Sequence, residues 1–159
     1  MKLKMHRPAL VMNRIGASLI DMFLISVMYG AVVAVMTGNY SAIFNRFNIS
    51  FGDYRYDLVV VFILMAIYFI LLPFIWNGVT LGKKVTRIKL ISLQSEKLTL
   101  QTLTIRFFVL LLPNILLLGI PILCNVYMML FRKDNCGFQD LITKTKVISL
   151  VLIKKDLFI

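Results

Sequence analysis

The stretch Val11-Met-Asn-Arg14-Ile-Gly-Ala-Ser-Leu-Ile-Asp21-Met-Phe-Leu-Ile-Ser-Val-Met-Tyr-Gly-Ala-Val-Val-Ala-Val-Met36 decides the fold. Its apolar length exceeds the ~20 residues a helix needs to cross the ~30 Å hydrocarbon core of a bilayer. Arg14 and Asp21 are the charges inside it. The basic segment before it, Met1-Lys-Leu-Lys-Met-His-Arg7, resembles the start of a signal peptide. The apolar run behind is too long and too interrupted for a cleaved signal, so it reads as a first span that is retained.

Working outward, a second apolar run covers Leu58 to Trp76 and a third covers Phe107 to Phe131. The 159 residues are 60% hydrophobic, with a mean hydropathy of +0.88. An ordinary globular domain is ~45–50% apolar, and no soluble core of this size hides three such runs. The expectation is an all-α integral membrane protein, a single domain over residues 1–159. It has two full spans, 11–36 and 58–76, and a third region, 107–131, that is kinked or re-entrant. Tyr54, Tyr56, Tyr68 and Trp76 suit span ends at the membrane interface. Thr37 to Asp57 reads as a loop with a short amphipathic piece around Ile43–Phe47.

Residues 77–106 form the expected cytoplasmic loop. Asn77-Gly78 and Leu81-Gly82 mark turns. Val85 to Leu93 alternates, Gln94-Ser-Glu96 resembles a turn, and Lys97 to Leu100 could return as a hairpin partner. Thr143 to Ile153 is β-branched and reads as a strand that would add to this small β element. Pro113, Asn114, Gly119 and Pro121 give the third region places to bend. Lys and Arg number 4 up to the start of the first span, 2 in the first loop, 6 in the second and 6 in the tail. A third region that turns back places 16 on one side and 2 on the other, whereas a single crossing splits them 10 to 8. The positive-inside rule favours turning back, with both termini cytoplasmic. Two arms would each fall short of the bilayer core, so two short helices or a re-entrant hairpin, starting near Gln101, are expected, with a single kinked crossing as the alternative.

The net charge is +11. The basic residues lie outside the apolar runs and form no stripe interleaved with aromatics, which points to anionic lipid rather than nucleic acid. Cys124 and Cys136 form no CxxC pair and His6 is the one histidine. No zinc spacing, disulfide framework, phosphate loop or nucleophile–base pair is recognisable, so no metal, no cofactor and no enzymatic activity are expected.

Asp21 is the one acid inside a span. A carboxylate there costs ~2.5–3.5 kcal/mol on insertion scales, so it is either a proton or cation site or part of a structural pair. Arg14 lies about two turns away on the same side, and either snorkels to headgroups or meets a partner. Asp140, in Gly137-Phe-Gln-Asp140, is either a helix cap or that partner. Asn114 and Asn125 are expected to bond carbonyls freed near the prolines, or else to line a path. Met22, Met28, Met36, Met65, Met128 and Met129 read as packing filler rather than a metal route.

Taken in order, these segments resemble the RDD family of bacterial membrane proteins, named for one arginine and two aspartates. Arg14-Ile-Gly-Ala-Ser-Leu-Ile-Asp21 resembles the family's opening element. Thr80-Leu-Gly82-Lys83 followed by Arg87-Ile-Lys-Leu-Ile91 resembles its central segment. Gln139-Asp140 followed by Thr145 resembles its close, with Gln139 where the family carries histidine and Lys144 where it carries a small residue. The resemblance runs over about residues 10 to 152. It implies a multi-pass protein of the bacterial cytoplasmic membrane, with Arg14, Asp21 and Asp140 as its polar network and Gly82, Lys83 and Thr145 supporting. Transport of an ion, proton or small solute is the leading expectation, through a homo-oligomer because so few spans enclose little volume. The alternative is an accessory or assembly subunit of a larger membrane complex, in which the three charged residues are a clamp.

Overall fold

A computed structural model describes residues 7–38, 40, 50–94 and 97–150. The expected amphipathic piece around residues 43–47 lies outside the described residues. Helix α1 covers Val11–Thr37 and ends on Gly38, whose φ of 70° is the left-handed conformation that stops a helix. Helix α2 begins at Tyr54, where the Asp53 side chain accepts from Arg55 N, and runs to Ala66. It continues without a break through a π-helical turn, Ile67–Leu71, into α3, Leu72–Ile75. α1 and the continuous 54–75 helix, 27 and 22 residues, are long and apolar enough to cross a membrane. They run antiparallel: Asp21 meets Tyr68 while Tyr29 meets Asp57, so partner numbers fall along one helix as they rise along the other.

After α3 the chain turns sharply at Asn77 and Gly78, both with positive φ. Gly78 N bonds back to Pro73 O at 2.6 Å, and Leu90 N bonds Gly78 O at 2.9 Å. The end of the second long helix is thereby tied to a strand. A short helix, α4, spans Leu81–Val85. Strand β1, Ile88–Ser92, pairs antiparallel with strand β2, Thr145–Ser149, with Leu90 opposite Val147. The other edge of β2 takes the chain's first described residues, through a Pro8–Ile148 bridge, Ala9 N to Val147 O at 3.0 Å and Ser149 N to Arg7 O at 3.1 Å. Ala9, Ala17, Ile88, Leu90, Leu98, Leu103 and Val147 form the main apolar cluster, so the core lies where the sheet meets the starts of α1 and the third apolar region.

Two expectations about the β element need correction, and the two helices expected of the third apolar region are found. Lys97 to Leu100 is not a strand: Thr99 caps a helix, α5, that opens at Leu100, with its hydroxyl accepting from Thr102 N at 3.2 Å. The partner of β1 is therefore the tail strand alone, and the third pairing comes from the N-terminal segment. Val85 ends a helix rather than opening the strand. The third apolar region is two helices, α5 over Leu100–Leu116 and α6 over Ile120–Phe131. Leu118 and Gly119, at φ 49° and 87°, make the turn between them. Asn114 Nδ2 donates to Leu110 O at 2.5 Å beside Pro113, the carbonyl-bonding role expected of it. A last short helix, α7, covers Phe138–Ile142.

Candidate functional site

Helix α1 presents Arg14 and Asp21 seven residues apart, about two turns, hence on one face. Each charge meets a different partner set. Asp21 is 2% exposed. Its Oδ1 accepts from Tyr68 Oη at 2.6 Å and from Gly82 N at 2.7 Å, and its Oδ2 accepts from Thr80 Oγ1 at 2.7 Å. All three donors are uncharged, and among the described residues no cation pairs with Asp21. Thr80, fully buried, also caps α4 by accepting from Lys83 N. One hydroxyl thus starts a helix and holds the carboxylate.

Asp140 is 1% exposed and takes two arginines. Arg14 Nη1 donates to its Oδ2 at 2.5 Å, and Arg106 Nη1, from α5, lies in direct contact with its Oδ1. Asp140 is also the third residue of α7 and accepts from Gly137 N at 3.1 Å, so cap and ion-pair partner are both true of it. Arg106 Nη1 also donates to Thr145 Oγ1 at 2.7 Å, at the first residue of β2. Arg14 Nη2 reaches Val147 O at 3.4 Å. Burial alone would push the Asp140 carboxyl up, but Arg106 and then Arg14 hold it below the usual carboxylate value. Asn125 Oδ1 accepts from Phe138 N at 2.8 Å, pinning α7 against α6.

Lys83 stands in the field of both carboxylates. It is half-buried, and no hydrogen bond or ion pair engages its ammonium among the described residues. Burial first, then the nearby Arg106, pull it down to about 8, against the opposing pull of Asp21 and Asp140. Lys83 is the fifth charge in a group with two arginines and two aspartates.

Of the six residues expected to matter, Arg14, Asp140 and Thr145 meet in one cluster, Asp21 and Gly82 in the other, and Lys83 sits by both. Arg14 does not snorkel; it is 7% exposed and paired. Tyr68 lies within the 54–75 helix rather than at its end; it is 5% exposed and serves Asp21 from the π-helical turn. Arg106 and Thr80 were not anticipated. Arg106 had a signal in being a lone cation between Thr104-Ile and Phe107-Phe108, the same anomaly that singles out Arg14. Cys136 is buried, and burial followed by Asp140 pushes its thiol up. No group of three or more metal-binding side chains occurs among the described residues.

The sequence matches the RDD family over residues 8–144. It is 25% identical over 145 residues to the "Uncharacterized protein YckC" of Bacillus subtilis (strain 168), covering 91% of this chain and 87% of that one. No solved structure matches it. Arg14, Asp21 and Asp140, brought together on one frame by α1, α4 and α7, all fall inside the matched region, and the chain belongs to the RDD family.

Proposed function

We propose that this chain is a multi-pass protein of the bacterial cytoplasmic membrane that moves a cation, proton or small solute, with Asp21 as the charge met inside the membrane. The observation that carries this is Asp21 itself: a buried carboxylate within a helix long enough to span, liganded by hydroxyls and an amide and, among the described residues, paired with no cation. A charge held only for stability would gain more from a counter-charge, as Asp140 does from its arginines. Tyr68, which donates to Asp21, sits on a π-helical turn, a feature frequent at functional sites. In this reading Arg14, Asp140 and Arg106 form the fixed frame and Asp21 the exchange site.

The orientation in this reading is supported by what the fold gathers at one end. Residues 7–9, α4, β1, the start of α5, α7 and β2 touch one another there. Among the described residues, the segments gathered there carry Arg7, Arg14, Lys83, Lys84, Arg87, Lys89, Arg106, Lys144 and Lys146, which supports a cytoplasmic N-terminus and a third region that turns back. At 17 and 12 residues, α5 and α6 reach about 26 and 18 Å, short of the ~30 Å core, as a re-entrant hairpin would be.

The test is dissipation of a pH gradient in proteoliposomes on adding a cation, comparing wild type with Asp21→Asn. Flux that vanishes in a variant that still elutes and melts like wild type supports the reading. Absence of flux with every common cation sinks cation–proton exchange. A second reading, an accessory subunit, draws on the three donors that Asp21 already holds. Copurification of one stoichiometric partner from native membranes, with no flux, would favour it.

A further inference from the structure

We propose that the cleft between Trp76 and Leu150 is a docking site for the phosphate headgroup of an anionic phospholipid. The cleft measures about 390 Å³ and is lined by Trp76, Val79, Lys84, Arg87 and Leu150. This rests on the membrane reading above, since it places a lipid where the second long helix ends.

Backbone hydrogen bonds fix the walls. Trp76 N bonds Leu72 O at 2.9 Å, Lys84 N bonds Thr80 O at 2.9 Å, and Leu150 N bonds Arg87 O at 2.9 Å. Arg87 adopts the left-handed conformation, φ 54°, uncommon for a residue with a side chain, at the step from α4 into β1. Lys84 Nζ stands 5.3 Å from the centre of the Trp76 ring, inside the ~6 Å range of a cation–π contact. Trp76, Val79 and Leu150 make the lining largely apolar, and the exposed Lys84 and Arg87 add two cations to it.

Those two cations have no carboxylate to meet among the described residues. Asp21 is held by Tyr68, Thr80 and Gly82, and Asp140 by Arg14 and Arg106. Asp134 pairs with Arg132 at 3.9 Å. Asp53 and Asp57 stand at the far end of the 54–75 helix, about 30 Å away along its axis. A tryptophan at the end of an apolar helix suits the headgroup level. Two cations beside it would meet the phosphate there, while Val79 and Leu150 receive the glycerol and the first methylenes.

Trp76 is the one tryptophan in the chain, so its fluorescence reports on this cleft directly. The full chain is reconstituted into phosphatidylcholine vesicles containing a fixed fraction of phosphatidylglycerol, with bromine on the acyl chains of one lipid or the other. Brominated phosphatidylglycerol is expected to quench Trp76 more than brominated phosphatidylcholine at equal fraction. Lys84→Gln and Arg87→Gln should each lower that preference about fivefold, the effect of one cation at a lipid surface. Equal quenching by the two lipids, or a preference unchanged in the double variant, overturns the proposal. Loss of the preference in millimolar inorganic phosphate at constant ionic strength also overturns it, by assigning the cleft to a free anion. Failure of the protein to float with vesicles of any composition would instead strike the membrane reading itself.

Discussion

A methyl group placed on Gly82 would fall 2.1 Å from the Ala17 carbonyl oxygen and 2.7 Å from Asp21 Oδ1. Neither atom can retreat: Ala17 is backbone of a long helix, and Asp21 is held by three donors. Glycine is what lets α4 lie on α1 closely enough for its amide to reach the carboxylate. Gly82→Ala is therefore expected to lower the melting temperature in detergent, by about 1–3 kcal/mol of overpacking and the loss of a charge-assisted hydrogen bond. A melt equal to wild type would show that α4 is not packed this way. Lys83, next along, makes a prediction in pH. Its folded value lies below its unfolded one, so the folded state binds fewer protons between about pH 8 and 10.5. Stability should rise with pH across that window, by about 1 kcal/mol once partial solvent access is allowed for. Lys83→Met should flatten the rise, and a wild type that loses stability steadily from pH 8 to 10 would contradict it.

Asp140 acts between elements. Through Arg14 and Arg106 it joins α7 to α1 and α5, and Arg106 passes the connection to β2 at Thr145. Asp140→Asn leaves the buried Arg14 and the half-buried Arg106 without their counter-charge, a change of about 3–5 kcal/mol. Arg106→Gln in the same chain removes one of those stranded charges, so the double variant should melt above Asp140→Asn alone. Because the Asp140 carboxyl is held below its usual value, its contribution is present above about pH 4 and lost as the pH falls through the folded value. Wild type should lose more stability than Asp140→Asn between about pH 5 and 2. Elements of this kind were unevenly legible in the sequence. The two long helices could be read because twenty or more apolar residues leave few alternatives, and the tail strand because it is β-branched. A helix start near Gln101 competed with a strand reading because Lys97-Leu-Thr-Leu100 alternates, and what decides for the helix, from Leu100, is the Thr99 cap and the burial of Leu103 beyond. Arg14 and Asp140 could be proposed as partners from their anomaly in apolar surroundings. Tyr68 could not be placed on Asp21, because that contact is set by the antiparallel packing of two helices and the π-helical turn, neither of which leaves a periodic signal.

At the scale of the whole molecule, the arrangement of ends is the strongest consequence of the fold. β2 carries the N-terminal segment on one edge and β1 on the other, and Asp140 draws the start of α5 to the same place. The start of the 54–75 helix lies at the opposite end, where Asp57 accepts from Tyr29, Ser50 and Phe51. If α1 and the 54–75 helix cross the membrane, Lys144 and Tyr54 must face opposite sides. Cys136 is too buried to report on this. A chain with Cys124 and Cys136 changed to serine, carrying either Tyr54→Cys or Lys144→Cys, supplies exposed positions at the two ends. A membrane-impermeant maleimide applied to intact cells should label Tyr54→Cys and leave Lys144→Cys unlabelled until the membrane is opened. The opposite pattern would invert the orientation while keeping the fold. Labelling of both positions from outside would be incompatible with two crossings by these helices, because the shared contacts of α1, α5, α7 and β2 hold Lys144 at the end away from Tyr54 whatever surrounds the chain.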